Sequence, residues 1–144
     1  MLFLTHSDYT ALRAHGEETY PYECCGVLLG NATPEGNRVR QIVRAGNTRT
    51  DRAHDRYHIA PEELIRIQRQ ARGLSLDIVG FYHSHPDHPA QWSQTDFAEA
   101  HWFGCAYVIT SVDNGRADIT NAWILRGDGE ETKRFEMIEV VRQP

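Results

Sequence analysis

Apolar positions fall in short blocks along this chain, and the spacing within each block predicts alternating helices and strands. Ser7 to Tyr20 reads as a first helix, with Ser7 or Asp8 as N-cap and Pro21 just past its end. Cys25-Gly26-Val27-Leu28-Leu29-Gly30 is almost wholly apolar and closes on glycine, as a buried strand does. Asn31 to Asn37, with Pro34 and Gly36, reads as a turn, and the alternation from Arg38 to Ala45 as a second strand. Gly46 to His58 is polar and irregular, which suits a surface loop. Pro61-Glu62-Glu63 then opens a helix with proline in its first turn and acids at its positive end. Leu64, Ile67 and Ala71 form its inward stripe, and Gly73 stops it.

Leu76 to Tyr82 is nearly continuous in apolar residues and predicts a central strand covered on both faces. A further helix is expected over Ser93 to Trp102. Strands are expected over Cys105 to Ser111, Ile119 to Leu125 and Arg134 to Val141, with Asp113-Asn114-Gly115 and Gly127-Asp128-Gly129 as turns. Together these elements give a mixed sheet flanked by about three helices, an α/β fold. No repeat, low-complexity tract or long linker divides the 144 residues, so one domain over 1–144 is expected.

Charge and cysteine usage narrow the partners. A net charge of −5 argues against nucleic acid and acidic membrane surfaces, both of which need a positive field. No apolar run is long enough to span a bilayer, and Met1 to Thr5 lacks the basic region and longer apolar core of a secretory signal. Cys24, Cys25 and Cys105 are odd in number and two are adjacent, which favours a reducing cytoplasm over a disulfide framework.

The densest chemistry lies in His83-Ser84-His85-Pro86, continuing to Ser93-Gln94-Thr95-Asp96. On a strand, His83 and His85 project from one face, at the end of the apolar run where Pro86 turns the chain away. Asp96 falls in the first turn of the next helix. Two imidazoles and one carboxylate leave a tetrahedral zinc with one position open, as a catalytic site requires. Each part also has a plain structural use: His-x-His arises by chance, and Ser93-x-x-Asp96 is a capping box. Their conjunction in one compact unit points to a metal.

His-Ser-His-Pro, six residues, then Ser-x-x-Asp closely resembles the motif of the JAMM (MPN+) zinc metallopeptidases. Glu23, ahead of the Cys25 to Gly30 strand, matches the upstream glutamate of that family. The resemblance implies a JAMM/MPN fold of the cytidine-deaminase-like kind and one zinc per chain, held by His83, His85 and Asp96. It further implies that Glu23 is the general base toward the zinc-bound water, and that Ser93 stabilises the oxyanion. The chain is most similar to short stand-alone prokaryotic members such as the CysO-cysteine peptidases, a likeness that includes the stretch from Asn47 to Glu63. The implied reaction is hydrolysis of an amide bond at or after the C-terminal tail of a ubiquitin-like or sulfur carrier protein. A homodimer is common in the family. An extended tail pairing with a sheet edge near the metal would supply backbone recognition.

Other residues carry less. His88 could meet metal or substrate from its loop, whereas His54, Asp55 and His58 have no partners at fixed spacing. His6, His15 and His101 read as structural or exposed, and Trp92 as a cover for the loop or a surface for peptide. Cys24 and Cys25 have no basic neighbour to make a thiolate nucleophile. Two alternatives remain: a metal-free MPN scaffold that binds proteins, or a zinc hydrolase of a non-protein substrate. Nucleobase deamination is discarded because His-x-Glu with Pro-Cys-x-x-Cys is absent.

Overall fold

A computed structural model describes residues 1–47 and 57–144. Among the described residues eleven elements follow one another: β1 (Leu2–Thr5), α1 (His6–Thr19), β2 (Cys25–Thr33), β3 (Gly36–Ala45), α2 (Pro61–Gly73), β4 (Asp77–Pro86), α3 (Gln94–Ala98), β5 (Ala106–Asp113), β6 (Arg116–Arg126), β7 (Arg134–Ile138) and β8 (Val140–Gln143). The strands form one mixed sheet in the order β7-β6-β5-β4-β2-β3-β1-β8. The α/β architecture with three helices matches the sequence pattern. Among the described residues, no helix is long and apolar enough to cross a membrane.

Side-chain alternation divides the core between the two faces of the sheet. Leu28, Tyr82 and Val108 point to the face covered by α1, where they meet Leu2, Leu4 and Leu12. Val27, Phe81 and Tyr107 point to the opposite face, against Ile67 and Ala71 of α2. The strand β4 lies between β2 and β5 and is buried along nearly all its length, which accounts for its unbroken apolar run. Gly26 has a packing reason: a Cβ there would stand 2.1 Å from the Tyr82 ring.

Several elements depart from the expected pattern. Leu2–Thr5 is a strand because Leu2 and Leu4 alternate into the core and pair beside β3 and β8. Thr5, rather than Ser7 or Asp8, caps α1, its hydroxyl accepting the Asp8 N–H at 3.0 Å. Strands β2 and β3 run further into their hairpin, so the expected turn shrinks to Pro34 and Glu35. The third helix ends at Ala98, well before Trp102. Its last carbonyls are taken by Lys133, and Ala100 and Trp102 turn in to pack against the sheet. The expected strand from Arg134 to Val141 is two, with β7 on β6 and β8 on β1. Only Glu139 separates them although they end the strand order at opposite sides, so the sheet must curl until its two edges approach. The Leu2 N–H seals that junction with a 2.8 Å hydrogen bond to the Glu139 carbonyl.

Candidate metal centre

The end of β4 brings its two histidines to the α2 face. Alternation puts Phe81, His83 and His85 on that side, and sends Tyr82 and Ser84 to the other. The intervening serine has its own task. Fully buried Ser84 accepts the Cys24 N–H at 2.9 Å, and its N–H donates to the Cys24 carbonyl at 3.3 Å. Glu23, the residue before Cys24, is thereby registered against the histidine strand and is itself buried.

The loop after β4 is pinned at several points. Asp87 sits at φ 57°, a left-handed conformation aspartate tolerates. Its carboxylate accepts the Tyr20 hydroxyl at 2.6 Å and the Asn114 N–H at 2.8 Å. Asn121 donates to the Ala90 carbonyl at 3.0 Å, and Trp92 packs on Phe97 and Phe135. The chain then enters α3 through a capping box: the Ser93 hydroxyl accepts the Asp96 N–H at 3.0 Å, and the Asp96 carboxylate accepts the Ser93 N–H at 2.9 Å. That box fixes the carboxylate in front of the histidines.

Three ligand atoms meet there. His83 Nε2 and His85 Nε2 are 3.2 Å apart, and Asp96 oxygens stand 3.3 Å from the first and 3.2 Å from the second. A tetrahedral zinc with ligands near 2.0–2.1 Å needs neighbouring ligand atoms about 3.3 Å apart, which is the separation of the two imidazole nitrogens and of each nitrogen from a different oxygen of the Asp96 carboxylate, Oδ1 for His83 and Oδ2 for His85. Chemistry agrees with distance. The His85 Nδ1–H donates to the Pro89 carbonyl at 2.9 Å, which leaves Nε2 with its lone pair facing a carboxylate oxygen. Facing lone pairs repel unless a proton or a metal lies between them. Among the described residues, His83, His85 and Asp96 are a group that could hold a metal ion.

The electrostatics follow from burial. Burial pushes the His83 pKa down and outweighs the attraction of Asp96, so this imidazole is held neutral, as a ligand must be. Burial also opposes protonation of His85, but the hydrogen bonds to Asp96 and Pro89 win and lift its pKa. Asp96 is partly desolvated, yet the two imidazoles hold it well below the usual carboxylate range.

Cavities open on both sides of the centre. One, of about 330 Å³, is bordered by Glu23, His85, His88, Trp92 and Ser93. The other, about 340 Å³, lies beyond Tyr57, whose ring stacks on His83 at 4.4 Å, and has Phe81, Trp102 and Tyr107 in its wall. Sequence reading singled out neither Tyr57 nor this second cavity. Tyr57 lies in a polar stretch with no periodicity, and only its likeness to the prokaryotic subgroup drew notice. His54 and Asp55 lie outside the described residues.

The remaining candidates are dispersed. His58 donates its N–H to Asn47, His101 pairs with Glu130, and His15 is buried against the Tyr82 hydroxyl at 2.8 Å. Burial raises the Cys24 thiol to about 11 and the Cys25 thiol as well, which leaves neither a thiolate nucleophile near neutral pH.

The chain is similar to several known proteins. Residues 5–125 match the family model described as prokaryotic homologs of the JAB domain. Desampylase of Haloferax volcanii is 37% identical over 65% of this chain and 65% of its own length. The Lys-63-specific deubiquitinase BRCC36 of Camponotus floridanus is 27% identical over 54% of this chain and 32% of its own. The match thus spans just under two thirds of the first relative and about a third of the second. A solution structure of a Salinibacter ruber protein, 38% identical, covers 97% of this chain and 90% of its own, with a TM-score of 0.73. The chain belongs to the JAMM/MPN family, among its prokaryotic JAB homologues.

Proposed function

We propose that this protein is a zinc metallopeptidase that hydrolyses a peptide or isopeptide bond at the C-terminal tail of a ubiquitin-like protein. The observation that carries the reading is the convergence of the ligand atoms of His83, His85 and Asp96 within 4.8 Å of one another, with Glu23 in the adjoining cavity. The desampylase and deubiquitinase relatives support a conjugate of a ubiquitin-like protein as substrate. Within that class, a sulfur carrier protein is the finer choice, with the reaction in the cytoplasm and residues 1–144 acting as one domain and pairing as a homodimer.

A zinc ion in this site would polarise the scissile carbonyl and acidify a water molecule. Each remaining task falls to a side chain. Glu23 takes the proton of the attacking water and returns it to the departing amine. Ser93 spends one lone pair on the Asp96 N–H, so its own O–H stays available to the oxyanion. The Pro89 carbonyl selects which nitrogen of His85 faces the centre. His88 and Trp92 border the cavity where the tail enters.

Elemental analysis of purified protein should find close to one zinc per chain, lost in the H83A/H85A variant. E23Q should keep the zinc and lose hydrolysis of a sulfur carrier protein extended beyond its Gly-Gly, followed by mass spectrometry. Native protein without metal at saturating zinc would end the enzyme reading, and undiminished turnover in E23Q would reject Glu23 as base.

A further inference from the structure

The helix that delivers Asp96 is too short to hold itself. It has five residues, none of them buried, whereas isolated helices need roughly 12–15 residues even to be marginal in water. Its first turn is fixed by the exchange between Ser93 and Asp96. That exchange ties the carboxylate to the helix without anchoring the helix to the protein.

Phe97 packs on Trp92 and Phe135, and a polar anchor for the end of the helix comes from the segment between β6 and β7. The Lys133 ammonium donates to the carbonyls of Phe97 at 2.9 Å, Ala100 at 3.2 Å and Ala98 at 3.4 Å. It also lies 4.9 Å from the centroid of the Phe97 ring and 2.9 Å from a Glu130 oxygen. The Lys133 side chain is only 4% exposed, while Glu130 is 64% exposed. A cation this buried is expensive unless its donors are met. Here they are met chiefly by the orphan carbonyls at a helix C-terminus, where the dipole is negative.

We propose that Lys133 is a positioning residue for the metal centre, holding the end of α3 so that the Asp96 carboxylate keeps its spacing from His83 and His85. The proposal rests on the metal-site reading above. Phe97 directly follows Asp96, so a displaced Phe97 carbonyl shifts the aspartate through a single peptide unit. Metal–ligand distances tolerate only about 0.2 Å. Loosening α3 therefore reaches the ligand set before it reaches the sheet.

The test is zinc affinity, measured by competition with a chromophoric chelator for wild type, K133M, D96A and the K133M/D96A pair. K133M should weaken zinc about 10- to 100-fold, the range for partners that orient a ligand. The double variant should bind within about twofold of D96A, because a residue acting through Asp96 has nothing left to position. The d–d absorption of the cobalt-substituted K133M protein should also shift. If K133M does not fold, the neutral K133Q carries the same cycle. Unchanged affinity in K133M, or an equal loss with and without the Asp96 carboxylate, overturns the role. A wild-type protein that takes up no zinc overturns the metal-site reading and this role with it, whereas zinc-binding wild type with unaffected K133M overturns the role alone.

Discussion

His15 offers a stability measurement whose size follows directly from where the fold puts it. It is 7% exposed on the inner face of α1, with Nδ1 2.8 Å from the Tyr82 hydroxyl. Burial, helped by the positive charge of Arg44, lowers its pKa from 6.5 to about 4, so it is neutral in the folded protein. The unfolded chain binds a proton here near pH 6.5. Between the two values the unfolded state therefore holds more protons, and stability is fully present above pH 6.5 and falls as the pH drops toward 4. With these values the loss from pH 7 to pH 5 is about 2 kcal/mol. The figure depends little on the folded pKa, because above pH 5 nearly all the protonation difference comes from the unfolded chain. H15N places a non-titrating amide near Nδ1 and removes this component. Urea unfolding of chelator-treated protein at constant ionic strength, at pH 7 and pH 5, gives the comparison, since other titrating groups cancel between the variants. Wild type should lose about 2 kcal/mol more than H15N over that interval. Equal losses would mean that His15 is not held neutral in the fold, and the reasoning would fail.

Three further outcomes are expected. G26A drives a methyl group to 2.1 Å from the Tyr82 ring, which is buried and bonded to His15 and so cannot swing away. It should cost at least about 1–3 kcal/mol in urea unfolding, the range for an overpacked core. At Asp87, both D87A and D87G lose the links to Tyr20 and Asn114, but only alanine is strained at φ 57°. D87A should show the lower urea midpoint, and equal midpoints would remove the strain argument. Stripping zinc with EDTA should lower the thermal midpoint of wild type. At free zinc a thousandfold above Kd the bound ion adds about 4 kcal/mol, and H83A/H85A should be indifferent to the chelator.

The chain made its strands legible where burial is periodic and hid them where it is not. Cys25 to Gly30 and Leu76 to Tyr82 are apolar on both faces because β2 and β4 sit inside the sheet with helices on either side. The first strand went unread because four residues are too few for a period. Leu2 and Leu4 become a strand only through pairing with residues more than thirty and more than a hundred positions away. Arg134 to Val141 read as one strand because alternation continues almost evenly across Glu139. Periodicity reports which face a side chain takes, and is blind to which neighbour the backbone bonds. The early end of α3 has a similar origin, since Lys133 and the inward turn at Ala100 are tertiary facts.

The candidate site divides along the same line. His83 and His85 could be paired from the two-residue repeat alone, because a strand is rigid enough for spacing to imply a face. Asp96 needed the motif, since ten residues separate it from His85 and nothing in their pattern states that the chain returns. The structure supplies the reason: Asp87, Asn121 and Trp92 each fasten that loop to a different element. Ser84 shows the converse. In the sequence it is a spacer between two ligands. In the fold it is the bond that sets Glu23 beside them, because its hydroxyl meets the Cys24 N–H across the strand pair. A motif read as three ligands and a hydroxyl is therefore also a set of backbone ties. S84A should disturb Glu23 with all three ligand side chains left in place. Hydrolysis should then fall while zinc affinity holds, and a parallel loss of both would show that the serine supports the histidines rather than the base.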